Sequence, residues 1–359
     1  MVDPNLPSPK HQQLKEYLKN LIFQGKLTPG EQLPSENSLA RQFKISRHTV
    51  RQSFGELEQE GLIYREQGRG TFCNPLKRPG GQNIAVLTTY ISDYIFPSII
   101  QGIEAVLSDA GYNLLLANSN NNKTKEAQCL ENLVNQDIVA MIIEPAKSAK
   151  ANSNLTYFQT LTAKGVPYLM LHAHYPELDQ SFIVIDDEQG GYLETKYLLQ
   201  LGHRRIAGVF KTDDQQGVKR LQGFRRALNE YGLIPPPELV GTYETEQLHS
   251  FPYHFSQRLL LQPERPTAIV CYNDQIALEV LEVVRNEGLR VPDDLSLVAF
   301  DDSSLATATE IKLTTVKHPK LAMGHQAAQS IVDMLTGSID QPRRVYAPEL
   351  IIRNSCRNI

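Results

Sequence analysis

The spacing of apolar positions changes once along this chain, and the change divides it in two. From Lys10, the residues Leu14, Tyr17, Leu18, Leu21 and Ile22 recur at helical spacing and stop near Gly25. A polar turn follows, and Ser35 then fits the N-cap of a second helix over Glu36–Phe43, with Leu39, Ala40 and Phe43 facing inward. Ser46 is a second capping signal. Behind it Val50, Phe54 and Leu57 make one apolar face of a third helix, which Gly61 ends. Residues 62–64 and 71–72 read as short strands paired across Gly68-Arg69-Gly70. Between 75 and 83, Pro75, Pro79 and Gly80-Gly81 interrupt any regular pattern, so this stretch reads as a linker.

From Ile84 the pattern shifts to short continuous apolar runs, the signature of strands buried on both faces. Runs at 84–87, 114–116, 140–143, 168–171 and 182–185 are separated by helical stretches at 98–110 and 125–136. The series then restarts with runs at 206–210, 268–270 and 296–299 and helices at 218–231 and about 250–261. Two such series predict two parallel-sheet subdomains, with a ligand site between them at the carboxyl ends of the strands. The expected organisation is a winged helix-turn-helix (α+β) domain over 1–74, a linker over 75–83 and an α/β domain over 84–359. Within the last, one subdomain is expected to take about 84–203 with 319–340, and the other about 204–318 with 341–359.

Composition narrows the function classes. At 359 residues, 41% hydrophobic and 21% charged, the chain reads as a soluble protein of more than one domain. No apolar run is long enough to cross a bilayer, and MVDPNLPSPK lacks the pattern of a signal peptide. No membrane partner is expected, and the expected location is cytoplasmic and nucleoid-associated. Cys73, Cys129, Cys271 and Cys356 are scattered, as reduced thiols would be, and neither a metal site nor a cofactor is expected. Charge is unevenly spread. Residues 1–78 carry 12 Lys/Arg against 8 Asp/Glu, and the remainder carries 24 against 32. A basic head on an acidic body suits local contact with a polyanion.

The head carries the matching chemistry. Arg47, His48 and Arg51 crowd the N-terminal end of the third helix beside Ser46 and Thr49, and Gly68, Arg69 and Gly70 form the hairpin tip. Arginine can fork onto guanine or phosphate. Glycines let the tip backbone approach sugar and phosphate.

In the body, the strand ends offer Thr89, Tyr90, Glu144, His172, Asp186-Asp187, Lys211, Asn273-Asp274 and Asp301-Asp302, with Tyr94, Phe96 and Tyr272 nearby. Carboxylates, amides and cations suit vicinal hydroxyls, and aromatic faces cover the C–H side of a sugar ring. With no Trp in the chain, stacking falls to Tyr and Phe. Some of these acids, Asp187 and Asp274 among them, are expected only to cap the following helix. No nucleophile elbow, zinc motif, P-loop or dinucleotide fingerprint is present, so no enzyme is expected. A carbohydrate-processing enzyme using paired carboxylates is the distant alternative.

The run PGEQLPSE, then SRHTVRQ, then GLIYREQGRGTF closely resembles the winged helix of the GntR family of bacterial repressors. The resemblance implies a dimer on palindromic double-stranded operator DNA, with the third helix in the major groove and the wing tip at the minor groove. It places Lys10, Glu36, Arg47, Arg51 and Gln67 at DNA-contact positions. The pieces VIDDEQGGYLETKYLLQLGHRRIAGVF, GVKRLQGFRRAL, PTAIVCYNDQIALEVL and VPDDLSLVAFDDS resemble the effector domain of the LacI family, which is periplasmic-binding-protein-like. That pattern places Asp93, Phe96, Asp186, Arg220, Asn273, Asp301 and His318 at effector positions, His318 standing where many relatives have Gln. Arg220 is the foremost candidate, since its fork can hold two adjacent sugar oxygens. The fusion of the two modules resembles the arabinose-responsive repressors of Gram-positive bacteria. It implies a homodimer released from DNA by L-arabinose, with a different sugar or a purine as the alternative effector.

Overall fold

In the computed structural model, residues 9–23, 26–28, 30–74, 83–92 and 94–359 are described. The linker expected over 75–83 lies outside them except for Asn83.

The first body contains α1 (Lys10–Phe23), α2 (Glu36–Phe43), α3 (Arg47–Gln59), β1 (Ile63–Glu66) and β2 (Gly70–Cys73). Both capping serines act as expected. Ser35 Oγ accepts from the Ser38 amide at 3.2 Å, and Ser46 Oγ accepts from the Thr49 amide at 3.1 Å. Lys44 ends α2 in the left-handed region (φ 53°), so the chain turns and reaches Ser46 within two residues. Leu14 and Leu18 of α1 share one core with Leu39 of α2 and Val50, Phe54 and Leu57 of α3. Ser53 lies in the same buried face, and its hydroxyl donates to the His11 carbonyl at 2.8 Å, fastening α3 to α1. Residues 30–33 run beside β2: the Leu33 amide donates to the Thr71 carbonyl (2.8 Å) and the Cys73 amide to the Glu31 carbonyl (2.9 Å).

The second body begins with β3 (Asn83–Thr88), α4 (Phe96–Asp109), β4 (Asn113–Asn118), α5 (Lys123–Val134), β5 (Ile138–Ile143), α6 (Leu155–Ala163), β6 (Tyr168–Leu171) and β7 (Ser181–Ile185). It continues through α7 (Asp187–Gln200), β8 (Ile206–Lys211), α8 (Gln215–Glu230), β9 (Val240–Tyr243), α9 (Phe251–Leu260), β10 (Ala268–Cys271), α10 (Asp274–Asn286) and β11 (Ser296–Asp301). It ends with β12 (Thr314–Lys317), α11 (Lys320–Thr336), β13 (Arg343–Tyr346) and β14 (Glu349–Ile351). The strands form two sheets, ordered β13-β7-β6-β5-β3-β4 and β14-β12-β11-β10-β8-β9. Pairing is parallel from β13 through β7 and β6 to β5, and from β12 through β11, β10 and β8 to β9. Only β14, antiparallel on β12, departs from the parallel rule in the second sheet.

Two of the expected subdomain boundaries are corrected. Residues 341–359 do not all join the second lobe, because Arg343 to Tyr346 pair in register with Phe182 to Ile185 and close the edge of the first sheet. Nor does 84–203 stay in the first lobe, because α7 packs on α8. Glycines allow that contact: a Cβ at Gly191 would lie 2.3 Å from the Arg220 carbonyl oxygen, and one at Gly223 would lie 2.0 Å from that of Glu188. In the first lobe, α11 packs on α4 in the same manner, through Gly102 and Gly324. All four cysteines are free. Among the described residues, no helix is long and apolar enough to cross a membrane.

Gly223→Ala should therefore separate α7 from α8 and lower stability by about 1–3 kcal/mol, the usual cost of overpacking. Urea denaturation of wild type and variant checks this; equal midpoints would contradict the close approach.

Candidate functional site

In the head, the sequence-selected residues fall on exposed surface in two groups. The first gathers at the start of α3. Glu36 lies between two arginines: Arg51 Nη2 is 3.2 Å and Arg47 Nη2 3.6 Å from its Oε2, while Arg51 Nε donates to Oε1 at 3.4 Å. The hydrogen bond from Arg51 holds the Glu36 carboxyl below its ordinary pKa, against a smaller opposing effect of burial. Both arginines keep roughly 60% of their side-chain surface open (60% and 62%), so their outer N–H groups are free for an anionic partner. His48 is exposed beside them, while Ser46 and Thr49 spend their oxygens on each other and on the cap. The second group is the hairpin tip, Gln67-Gly68-Arg69-Gly70, with Gly68 (φ +76°) and Gly70 (φ +126°) in backbone regions that L side chains rarely adopt. Lys10 stands exposed at the first position of α1.

In the body, a cavity of about 290 Å³ opens where the strands of the two lobes end. The first lobe supplies Tyr90, Tyr94, Phe96, Glu144 and His172; the second supplies Lys211, Arg220, Asn273, Asp301 and His318. Five lining residues, Tyr94, Asn120, Asn121, His172 and Asp301, have positive φ without being glycine. Backbone held in such conformations is typical of sites where side-chain direction matters more than local comfort.

Arg220 is the centre of the second-lobe wall. Its Nε donates to Asp187 Oδ1 at 2.9 Å and its Nη1 to the Tyr272 carbonyl at 2.8 Å; Nη2 lies 3.5 Å from Asp301 Oδ1. The Phe300 ring covers the guanidinium, with 3.5 Å between Cζ and the ring centroid. Burial pushes the Asp187 carboxyl up to about 6 even with Arg220 beside it. Lys211 is buried 2.9 Å from Asp214 Oδ2; burial works against its charge, but Asp214 and Asp213 outweigh this and raise its pKa. Tyr272 donates its hydroxyl to the same Asp214 oxygen at 2.8 Å.

The first-lobe wall is set by Glu144. Its Oε2 accepts from the amide and hydroxyl of Thr89 (2.8 and 2.6 Å), and its Oε1 faces His172 Nδ1 at 2.7 Å. With Glu144 as acceptor, the imidazole donates through Nδ1 and leaves Nε2 facing away from the carboxylate. His318 stacks edge-on to His172 at 5.0 Å. Burial first, then the neighbouring His172, Lys320 and Arg220 charges, hold it well below the ordinary histidine pKa and hence neutral. His172 Nε2, His318 Nδ1 and Gln216 Oε1 are buried without a hydrogen-bond partner, while Asp301 Oδ1 has its ion pair with Arg220. Three unmet polar atoms on residues lining one cavity suit a ligand carrying several hydroxyls.

Direct ties join the lobes across this cavity. The Tyr94 hydroxyl donates to the Phe300 carbonyl (3.1 Å) and accepts from the Asp274 amide (3.0 Å). Asn121 donates to Thr245 Oγ1 at 2.7 Å, and Lys147 and Lys150 reach Glu246 and Glu244, both at 2.5 Å.

Three sequence assignments change. Asp186 does not line the cavity; it is exposed and caps α7, its Oδ1 accepting from the Gln189 amide at 2.9 Å. Asp187 and Asp274, expected as caps, are buried charges instead. Asp274 accepts from Thr315 Oγ1 and from the amide and hydroxyl of Ser303, and its pKa is raised to about 7 by burial and by Asp301. The reason is one residue of helix register: the cap is the residue before the first helical one, so Asp186 and Asn273 cap while Asp187 and Asp274 turn inward. Asp93 lies outside the described residues. The lining also includes Asn120, Asn121, Asp214, Gln216 and Thr245, which the sequence reading passed over. The polar run 118–122 after β4 and the Asp213-Asp214 pair after Lys211 were visible signals; Thr245 follows β9, too short a strand to stand out.

Residues 10–73 match the bacterial regulatory proteins of the gntR family, and residues 195–356 match a periplasmic binding protein-like domain. Over 358 residues, 98% of each protein, the chain is 48% identical to the arabinose metabolism transcriptional repressor of Geobacillus stearothermophilus. The chain belongs to the arabinose metabolism transcriptional repressor family. A second member, from Halalkalibacterium halodurans, is 43% identical over 364 residues, 96% of each protein. The fold is shared with the transcriptional regulator CelR in its cellobiose complex, with a TM-score of 0.69 at 24% identity over 90% of this chain and 100% of that one. The protein is thus a DNA-binding repressor and not an enzyme, which sets aside the carbohydrate-processing alternative.

In this repressor, Arg220→Ala should leave Asp187 and Asp301 buried without their cation and cost about 3–5 kcal/mol of stability. Adding Asp187→Asn should recover part of the loss. Thermal melting of the single and double variants checks this, and additive losses would contradict the pairing.

Proposed function

We propose that the protein represses genes of L-arabinose use by binding palindromic operator DNA as a homodimer, and that L-arabinose in the interlobe cavity releases it. The observation that carries this reading is the cavity's set of unmet polar atoms, on His172, His318 and Gln216, beside the forked donor Arg220 and the aromatic rings of Tyr90 and Phe96. A pentose offers ring hydroxyls, which donate or accept, to these atoms and a C–H face to the rings. The 43–48% identity to arabinose metabolism transcriptional repressors supports this choice of sugar.

The mechanism follows from the ties between the lobes. A sugar that contacts both walls binds one lobe arrangement better than another and shifts the population toward it. Operator affinity then falls by the same coupling free energy. Arg47 and Arg51, oriented by Glu36, read the major groove, Gln67 and Arg69 meet the minor groove, and Lys10 holds phosphate. The working place of such a protein is the cytoplasm, on the nucleoid.

The test is fluorescence anisotropy of labelled operator DNA titrated with the repressor. L-arabinose should lower operator affinity, while D-ribose, D-xylose, glucose and adenine should not. Release by one of these in place of L-arabinose would replace the effector assignment. Arg47→Ala should weaken operator binding while the thermal shift given by L-arabinose stays unchanged. Loss of the thermal shift in that variant would contradict separate sites.

A further inference from the structure

The hairpin tip is held from outside the hairpin. Gln32, on the segment between α1 and α2, lies 37 positions from Arg69, yet its Nε2 donates to the Arg69 carbonyl at 2.7 Å. The Gln32 backbone is fixed by an antiparallel bridge to Phe72, flanked by the bonds from Leu33 to Thr71 and from Cys73 to Glu31. Its side chain therefore runs along β2 toward the tip. Gly70 leaves the room for it: a Cβ there would lie 2.4 Å from Gln32 Nε2. Gly70 also takes φ +126°, so the bare backbone at 70 serves the turn and the amide contact together.

We propose that Gln32 is a positioning residue for DNA binding, its side-chain amide holding the Arg69 peptide so that the Arg69 guanidinium is presented to the minor groove. The other ties of the tip lie within the hairpin: the Arg69 amide donates to the Glu66 carbonyl at 3.0 Å, and Arg69 Nη1 pairs with Glu66 Oε2 at 2.5 Å. Those bonds move with the hairpin. The bond from Gln32 ties the tip to the 30–33 segment, which lies outside the hairpin, pairs along β2 and leads into α2. Both residues are exposed, so their bond contributes little to folding and acts mainly by pre-organising a binding element. The inference rests on the reading of the wing as a DNA contact.

A mutant cycle on the full-length repressor separates the two. Operator affinity is measured by anisotropy for wild type, Gln32→Ala, Arg69→Ala and the double variant, with melting temperature as a control. Gln32→Met, of similar length but without a donor, accompanies Gln32→Ala in case the alanine variant folds poorly. The expected result is a loss of about three- to tenfold for either Gln32 variant, the size of one neutral hydrogen bond. Arg69→Ala is expected to cost more, and the Gln32 change to add nothing in the Arg69→Ala background. Equal losses in both backgrounds would overturn the proposal and make Gln32 an independent DNA contact or a folding residue. No loss from either Gln32 variant, with Arg69→Ala impaired, would overturn the positioning role alone. No loss from Arg69→Ala would overturn the wing reading itself.

Discussion

The effector module depends on one buried guanidinium. Arg220 draws its partners from separate elements: Asp187 at the start of α7, the Tyr272 carbonyl after β10, and Asp301 at the end of β11. Removing such a charge from water is costly, and the cost is offset only when every face of the ion is occupied. Here the edges meet carboxylates and a carbonyl, and one face meets Phe300. Behind it, burial raises the Glu194 carboxyl well above its ordinary pKa, against the opposing pull of Arg220. The glycine-mediated contact of α7 with α8 brings Asp187 within reach of Arg220.

The same corner is tied to the other lobe. Tyr94 reaches across to the Phe300 carbonyl, one residue before Asp301, and to the Asp274 amide, one residue after Asn273. Asp301 and Asn273 both line the cavity. A ligand that engages either side chain thus acts within one residue of the bond that joins the lobes. Cavity wall and lobe contact are adjacent along the backbone, an arrangement suited to coupling a small ligand to a distant event. The head uses a similar economy: Glu36 pairs with two arginines at once, and Gln32 holds the wing tip from the segment beside β2.

Much of this was legible in the sequence where local chemistry decides conformation. The serine caps, the Val50–Phe54–Leu57 face and the glycine-tipped hairpin appear as expected because each depends on neighbours a few residues away. Strand ends were legible as a class, and ten of the twelve expected effector residues line the cavity. What escaped depended on register or on distance along the chain. A one-residue shift exchanges Asp186 with Asp187 between cap and core. The return of Arg343–Tyr346 to the first sheet and the docking of α7 on α8 are tertiary choices that no periodicity encodes. Ser53 looked polar and is core, because its hydroxyl found the His11 carbonyl.

The central claim is that sugar and operator bind one protein at separate sites coupled through lobe arrangement. Its most direct test is reciprocity: calorimetric titration of L-arabinose into the repressor alone and into the repressor saturated with operator DNA. Linkage requires operator to weaken sugar binding by the same factor by which sugar weakens operator binding. An identical L-arabinose affinity with and without operator would contradict the account.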